Sequence, residues 1–273
     1  MKMTVVPALL LFLSPVVAAQ TPPPLPSNIN KDLQIDIQSP IKPGAAISIA
    51  DEPHHAHVFQ NGYVRVYNVT VPPLDATLLY REELPYIFLT LGQADVVDAV
   101  QGKPEAHLTL ADGDTRYSPG GFAHLLRTDA GIAFHNITVE LVHPQASPHN
   151  LGENATARPL GSCPQSVAPV QYDQIPYEQV ISCFETSEVR MELVKVEGGK
   201  DFVQAAPDTP ALLVAMTNAN LDVSLGGQQA AFLHAGDVLW LSAGVARRVS
   251  DFLGTRSQFL LLSFKDSGVA STK

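Results

Sequence analysis

The chain has 273 residues, of which 17 are basic and 27 acidic, so its formal net charge is −10. Its length is ample for two domains of ordinary size. An acidic balance without clusters of lysine or arginine disfavours binding to nucleic acid and to anionic membrane surfaces, because both are bound chiefly through such clusters.

The N-terminal stretch MKMTVVPALLLFLSPVVAAQ is typical of a secretory signal. It has an apolar run and a small-residue ending, which predicts cleavage between Ala19 and Gln20. Loss of Lys2 with this segment changes the net charge from −10 to −11. No later stretch approaches the roughly 20 apolar residues of a membrane-spanning helix. We therefore expect a secreted or periplasmic protein without a membrane span.

A proline-rich segment, residues 20–51, follows the predicted signal, and proline-rich chain tends to be extended. The motif PHHAH comes next and contains His54, His55 and His57. Such a cluster could bind a metal. Since it directly precedes the first predicted strand, we expect instead that these histidines cap that strand or pack against its edge.

Two blocks of the sequence correspond to each other. VFQNGYVRVYNVTVPP (58–73) resembles CFETSEVRMELVKVEGG (183–199), which aligns Phe59 with Phe184, and GDTRYSPGGFAHLLRT (113–128) resembles GDVLWLSAGVARRVSD (236–251). The two offsets, 125 and 123, nearly agree. The chain is therefore predicted to hold two copies of one domain, a pattern that must be recognised before the fold is assigned. The predicted boundaries are 52–142 for the first copy, 143–177 for a linker, 178–265 for the second copy and 266–273 for a tail.

Both copies carry the signals of strands. NITVELV (136–142) alternates apolar and polar residues, whereas YIFLTL (86–91) and FLLLSF (259–264) are apolar on nearly every position. The first pattern predicts strands with one buried face, and the second predicts strands that are covered on both faces. No long capped helical pattern accompanies them. The sequence thus predicts an all-β protein of sandwiches or jelly-roll barrels.

One motif carries a family resemblance. Gly113, Pro119, Gly121 and His124 have the spacing of the second conserved motif of the cupins, with Thr128 where that motif usually has asparagine. Residues 71–92 fall where the first cupin motif should lie. Together with the internal repeat, the chain resembles a secreted bicupin, and this implies two tandem cupin-type jelly-roll barrels.

The resemblance implies a divalent transition metal held by two histidines and a glutamate of the first motif and a histidine of the second. Alternate residues of a strand point to one side, so an H-x-H pair can reach one ion. In this sequence Tyr80 and Glu82 occupy the two histidine positions, and His124 is the one ligand position that is retained. We therefore expect no bound metal. The alternative is a metal held by His124, Glu82 and Tyr80.

The interior of the first barrel is the expected ligand site, lined by Tyr80, Glu82, Tyr117 and His124. Strand alternation places Tyr80 and Glu82 on the face that holds the metal ligands in the resembled family, and the turn before His124 directs that residue toward them. A concave, partly polar interior is the usual setting for a small-molecule site. We expect Glu82 and His124 to form a hydrogen-bonded pair. The competing interpretation is that Tyr80 fills the space and leaves no pocket.

The two cysteines, Cys163 and Cys183, are predicted to form a disulfide, because export places them in an oxidising compartment and one pairing exists. Two buried free thiols are the alternative.

The second copy departs further from the motifs. Arg247 stands at the position of His124, and Gln204 and Ala206 stand where histidines belong. A buried lone charge is costly, so Arg247 is expected either to form an internal salt bridge with Asp237 or Asp251 or to bind an anionic ligand.

Taken together, the residues favour an exported bicupin that is non-catalytic and binds a small molecule or acts as a structural or interaction protein. The alternative is a metal-dependent cupin enzyme, an oxygenase, isomerase or decarboxylase, that uses His124 with Glu82 and Tyr80. Exposed barrel edges often pair, so the sequence also allows a homodimer.

Overall fold

The computed structural model describes residues 46–164, 178–197 and 199–265. The predicted signal peptide, most of the proline-rich segment, the end of the linker and the C-terminal tail lie outside the described residues. The described part of the chain forms twenty β-strands and two short 3-10 helices. None of the helices in these ranges is long and apolar enough to cross a membrane.

The first half of the fold contains ten strands and the 3-10 helix Ile49–Asp51. The strands are β1 (Ile47–Ser48), β2 (His55–Gln60), β3 (Val64–Val71), β4 (Tyr80–Glu82), β5 (Tyr86–Thr90), β6 (Ala94–Val100), β7 (Ala106–Leu110), β8 (Thr115–Ser118), β9 (Phe122–Arg127) and β10 (Phe134–Leu141).

The second half contains ten further strands and the 3-10 helix Ala155–Ala157. The strands are β11 (His149–Asn150), β12 (Glu178–Glu185), β13 (Val189–Glu197), β14 (Asp201–Gln204), β15 (Ala211–Ala215), β16 (Asn220–Leu225), β17 (Gln228–His234), β18 (Val238–Leu241), β19 (Arg247–Asp251) and β20 (Arg256–Phe264).

The two halves have the same topology. The first barrel pairs the sheet β2-β3-β10-β5-β8 with the sheet β1-β4-β9-β6-β7, and the second barrel pairs β11-β12-β13-β20-β15-β18 with β14-β19-β16-β17. Apart from the added edge strands β1 and β11, the strand orders are identical. This confirms the predicted all-β fold of two tandem jelly-roll barrels. The predicted domain boundaries stay predictions. β1 precedes the range predicted for the first barrel, and β11 lies within the predicted linker.

The internal repeat is also visible in strand register. Phe59 stands opposite Val66 in the first barrel, and Phe184 stands opposite Met191 in the second. In both pairs the register shifts immediately before the phenylalanine. Such a bulge places one extra residue in one strand and increases the local twist. The correspondence between the two blocks of sequence is therefore also a structural correspondence.

Strand alternation divides the apolar residues among three cores. Tyr67, Val69 and Val71 of β3 face the interior of the first barrel, and Val64 and Val66 of the same strand belong to a core that also contains residues of the second barrel. This shared core packs the β3 sheet of the first barrel against the β13 sheet of the second. It explains why strands such as β5, β15 and β20 are apolar on both faces. The interior of the second barrel forms the third core.

A disulfide joins Cys163 to Cys183 on β12, which confirms the predicted bridge. Cys183 is fully buried. The bridge ties the segment after β11 to the sheet of the second barrel, next to the core that the two barrels share.

Candidate functional site

A glycine turn and two neighbouring strands position His124. Gly120 has φ of +67°, and a side chain there would collide with the backbone of Leu84, so the turn requires glycine. The amide of Gly121 donates to the carbonyl of Glu82 at 2.6 Å. β9 then runs between β4 and β6, with His124 directly opposite Tyr80. The motif thus directs His124 into the first barrel, where it is buried.

The imidazole of His124 is hydrogen-bonded to a carboxylate that the motif did not indicate. Its Nδ1 lies 2.8 Å from Oδ1 of Asp98. The expected bond with Glu82 is not formed, because His124 Nε2 lies 4.0 Å from Glu82 Oε1. A hydrogen bond to one ring nitrogen fixes the role of the other, so a neutral ring that donates from Nδ1 to Asp98 presents Nε2 as an acceptor.

Glu82 favours its neutral form. Burial, together with the negative charges of Glu140 and Asp98, holds the pKa of Glu82 well above its usual range. A protonated carboxyl group carries one O–H donor. Within the described residues, Glu82 Oε2 and His124 Nε2 are both buried without a hydrogen-bond partner. The barrel interior therefore contains two facing polar groups, the Glu82 carboxyl and the His124 imidazole, each with an atom that has no hydrogen-bond partner.

Tyr80 fills the centre of this region. Its ring centroid lies 4.5 Å from that of His55 and 4.6 Å from that of His124, so the phenol ring is placed between two imidazoles. Tyr80 is only 1% exposed. Burial and the nearby negative charges, first among them that of Glu82, raise the pKa of Tyr80 well above its usual value. The phenol is therefore neutral.

His55 belongs to the same site, although the sequence suggested that it caps or packs at a strand edge. It stands opposite Val69 on β3, whose side chain faces the barrel interior, and its own side chain is 1% exposed. His55 Nδ1 lies 2.5 Å from Oε2 of Glu52. Burial lowers the pKa of His55 despite this carboxylate.

Glu52 organises the start of the PHHAH motif. Its Oε1 lies 2.9 Å from His54 Nδ1 and accepts from the Leu78 amide at 3.1 Å. Burial by itself would raise the pKa of Glu52, but the hydrogen bonds from His55, His54 and Leu78 lower it to about 2. His57 is exposed, and its ring meets the edge of Tyr67. The three histidines thus have three different environments and do not form a metal cluster.

A small cavity of about 40 Å³ remains between these side chains. A cavity of this size holds roughly two or three water molecules. The residues that line it are His55, Tyr80, Glu82, Tyr86, Phe88, Val96, Asp98, Leu108, Leu110, His124, Leu126, Phe134, Asn136 and Thr138. Three of the four residues predicted to line the first barrel, Tyr80, Glu82 and His124, are therefore brought together.

Tyr117 does not reach this cavity. Its ring lies 5.0 Å from that of Phe184, in the core shared by the two barrels. The reason is strand alternation on β8, because Thr115 and Tyr117 point to one side of the sheet and Arg116 and Ser118 point to the other. The prediction that Tyr117 lines the interior of the first barrel placed it on the wrong side of this sheet.

Sequence reasoning missed Asp98, Tyr86, Asn136 and Thr138. A signal for Asp98 is present in β6, where it lies on the same side as the buried Val96 and is thus a charged residue on an otherwise apolar face. The alternation of Asn136 and Thr138 with apolar residues on β10 predicts that these two side chains are exposed to solvent. That face is instead the polar lining of the barrel.

In the second barrel, Gln204 stands opposite Arg247, as Tyr80 stands opposite His124 in the first. Arg247 is 2% exposed, and its Nε donates to Gln204 Oε1 at 2.6 Å. The expected salt bridge is not formed. Asp237 accepts from the His234 amide, and Asp251 accepts from the Leu253 amide.

The residues of the first barrel do not fit the divalent metal that the fold implies. Tyr80 is neutral and Glu82 favours its protonated form, whereas a cation prefers ionised ligands. Across the ranges that the structure describes, no group of three histidine, cysteine or acidic side chains is arranged to hold a metal ion. His124 alone keeps both the position and the chemistry of a ligand.

Several solved structures are similar to this chain. AerE from Microcystis aeruginosa is 10% identical, with a TM-score of 0.52 over 78% of this chain and 98% of that one. A salicylate 1,2-dioxygenase from Pseudaminobacter salicylatoxidans is 13% identical, with a TM-score of 0.52 over 77% of this chain and 75% of the enzyme. A cupin 2 conserved barrel domain protein from Leptotrichia buccalis is 10% identical, with a TM-score of 0.48 over 77% of this chain and 88% of its own.

No protein-family model and no curated protein sequence matches the chain. At 10% to 13% identity, the similarity to these solved structures establishes the fold alone. The chain has the tandem-barrel fold of the cupins.

Proposed function

We propose that this protein is an exported, non-catalytic bicupin whose first barrel binds a small, neutral, polar molecule. The observation that carries the proposal is the pair formed by Glu82 and His124. The Glu82 carboxyl group, which favours its neutral form, and the His124 imidazole lie 4.0 Å apart beside a cavity of about 40 Å³. A polar guest with both a donor and an acceptor would satisfy both groups, and buried polar groups are normally satisfied in this way.

The size of the cavity limits the guest. Tyr80 occupies the space between His55 and His124, so a molecule of more than a few heavy atoms could enter only if this ring moved. The guest is therefore of the size of water, formamide or urea. A charged guest is disfavoured, because burial of an unpaired charge costs several kcal/mol.

The test of this site is titration of the ring of His124 by NMR with formamide, urea and acetamide. Shifts that saturate in the wild-type protein and are lost in Glu82→Leu, which keeps the observed His124 ring but removes the carboxyl group, support the proposal. A His124 ring that no compound perturbs would mean that Tyr80 plugs the barrel, and the proposed binding site would be lost.

The alternative function is a metal-dependent cupin enzyme that uses His124, Glu82 and Tyr80. The unpartnered Glu82 Oε2 and His124 Nε2 favour it, whereas the neutral states of Tyr80 and Glu82 disfavour it. Elemental analysis of protein purified without chelator distinguishes the two functions. We expect far less than one Fe, Mn, Ni or Zn per chain. One equivalent of metal that is lost in His124→Ala would establish the alternative. One equivalent that persists in this variant would indicate that His54, His55 and His57 bind the metal.

Export is the part of the proposal that depends on residues 1–19 alone. Expression of the full chain in a host with a secretory route should give a mature protein that begins at Gln20. Intact mass measurement of the exported and retained fractions checks this. A protein that keeps Met1 and stays in the cytoplasm would contradict it.

A further inference from the structure

The interior of the second barrel contains a positive charge that the surrounding protein does not neutralise. Arg247 is 2% exposed, and its Nη1 is buried without a partner among the described residues. Its Nε donates to Gln204 Oε1 at 2.6 Å, and this is the guanidinium's one hydrogen bond within those ranges. Gln204 is uncharged, so the bond orients the side chain but does not compensate its charge.

Neither carboxylate expected to pair with Arg247 forms an ion pair with it, and Asp251 Oδ2 is itself buried without a hydrogen-bond partner among the described residues. Asp237 Oδ2 accepts from the His234 amide at 2.8 Å, and Asp251 Oδ1 accepts from the Leu253 amide at 3.0 Å. A guanidinium remains charged under ordinary conditions. Burial lowers the pKa of Arg247, which reflects how poorly its surroundings solvate the charge. An unpaired buried charge is among the most costly features that a fold can contain.

The nearest neighbours of Arg247 on the inner face are apolar, and the unpartnered carboxylate oxygen of Asp251 lies four residues further along β19. Phe202 and Val249 lie on the same face and belong to the apolar core of the second barrel. Leu225 stands opposite Arg247 on β16, on the side away from Gln204. The neighbouring arginine on β19 differs, because Arg248 faces outward and pairs with Asp201.

The position itself is one that the fold directs inward. The pair Gln204 and Arg247 repeats the register of Tyr80 and His124 in the first barrel. The second barrel thus places a cationic fork where the first places an imidazole. Nε of this fork already donates to Gln204, so Nη1 is the unpartnered donor that remains for an oxyanion.

We propose that Arg247 and Gln204 form an anion-binding site in the second barrel for a small planar oxyanion, a carboxylate of the size of formate or acetate. Nη1 of Arg247 donates to one oxygen of the anion. Since the Gln204 carbonyl accepts from Nε, its NH₂ group is available as a second donor. The bound anion neutralises the guanidinium. This site is independent of the one proposed in the first barrel.

The test is isothermal titration and thermal unfolding with sodium formate and sodium acetate, at an ionic strength held constant with chloride. Wild-type protein is compared with Arg247→Met and with the matched control Arg248→Met. At about 100 times Kd, we expect the wild type and the control to gain roughly 5 °C or more in Tm. Arg247→Met should bind roughly thirtyfold more weakly or not at all, because a buried charge pair has lost one partner.

A second variant keeps the test decisive if Arg247→Met does not fold. Gln204→Glu places a carboxylate beside Nε, so it should raise the Tm in carboxylate-free buffer and remove the response to formate. Two results would overturn the proposal. One is a wild-type protein that responds to neither formate nor acetate beyond chloride. The other is a response that persists undiminished in Arg247→Met or, if that variant does not fold, in Gln204→Glu.

Discussion

Glu82 and His124 face each other across the interior of the first barrel without a hydrogen bond. Glu82 Oε1 lies 4.0 Å from His124 Nε2. The carboxylate that binds the imidazole is instead Asp98, at 2.8 Å. Of the two acidic side chains beside His124, one is hydrogen-bonded to its ring and the other is not. Asp98 is partly exposed and hydrogen-bonded to it, and Glu82 is buried and favours its neutral form.

The state of Glu82 predicts a pH dependence of stability. Because its folded pKa is raised above the ordinary value of 4.5, the unfolded chain releases this proton first as pH rises. The contribution of Glu82 is fully present below about pH 4.5 and is lost as pH rises from there toward the folded pKa. Glu82→Gln should therefore match the wild type at low pH and exceed it in the free energy of unfolding at neutral and alkaline pH.

Urea denaturation at several pH values measures this effect. Glu83→Gln is the matched control, since Glu83 is the next residue and is exposed. A Glu82→Gln variant that is less stable than the wild type at pH 8 would show that the carboxylate is ionised in the fold.

The packing of Tyr80 predicts a cavity that can be refilled. Tyr80→Ala removes a buried ring from between His55 and His124 and should lower the free energy of unfolding by about 3 to 5 kcal/mol. Phenol or imidazole added in excess should restore part of this loss, because a cavity left by a removed ring can bind a molecule of matching shape. Differential scanning calorimetry with and without phenol measures both effects. Tyr80→Phe keeps the ring, so a rescue of equal size in that variant would mean that phenol binds elsewhere.

Glu52 predicts a pH dependence of the opposite sign. Its folded pKa of about 2 lies below the ordinary value of 4.5. The stability that its carboxylate provides is therefore present above about pH 4.5 and is lost as pH falls toward 2. Glu52→Gln should lower the free energy of unfolding at pH 7 by up to about 3 kcal/mol, an order-of-magnitude conversion of the pKa shift.

Between pH 4.5 and 2 the Glu52→Gln curve should be flatter than that of the wild type, as followed by chemical denaturation. Asp51→Asn serves as the control, because Asp51 is adjacent and exposed. Parallel curves for the wild type and Glu52→Gln would show that other groups cause the acid sensitivity.

The disulfide predicts a loss of stability on reduction. Cys163 and Cys183 are 20 residues apart in sequence, and closing a loop of this length contributes about 3 kcal/mol in the chain-entropy description. A Cys163→Ser/Cys183→Ser variant should be less stable by about that amount in urea. Reducing agent should lower the stability of the wild type but leave the variant unchanged. Alkylatable thiols in the unreduced protein would contradict the bridge.

The sequence by itself determined the fold class and the duplication. Strands with one apolar face and strands with two apolar faces are recognised from the order of neighbouring residues. They can therefore be predicted without knowledge of contacts between distant parts of the chain. The same holds for the turn before His124. At position 120 the turn has a left-handed backbone and passes close to Leu84, and only glycine fits there. The glycine in the motif therefore reveals the turn. The resemblance of the two motifs also predicted that Tyr80, Glu82 and His124 line the interior of the first barrel, and all three line its cavity.

Tertiary structure alone decided which side chains share the cavity. Asp98 reaches His124 because β6 pairs with β9, and His55 turns inward because β2 pairs with β3. Strand pairing and bulges set these registers, and a shift of one residue exchanges the two faces of a strand. For the same reason Tyr117 faces the second barrel and not the cavity. The charge state of Glu82 and the unpaired Arg247 likewise depend on burial by residues that are distant in sequence, which no local pattern reveals.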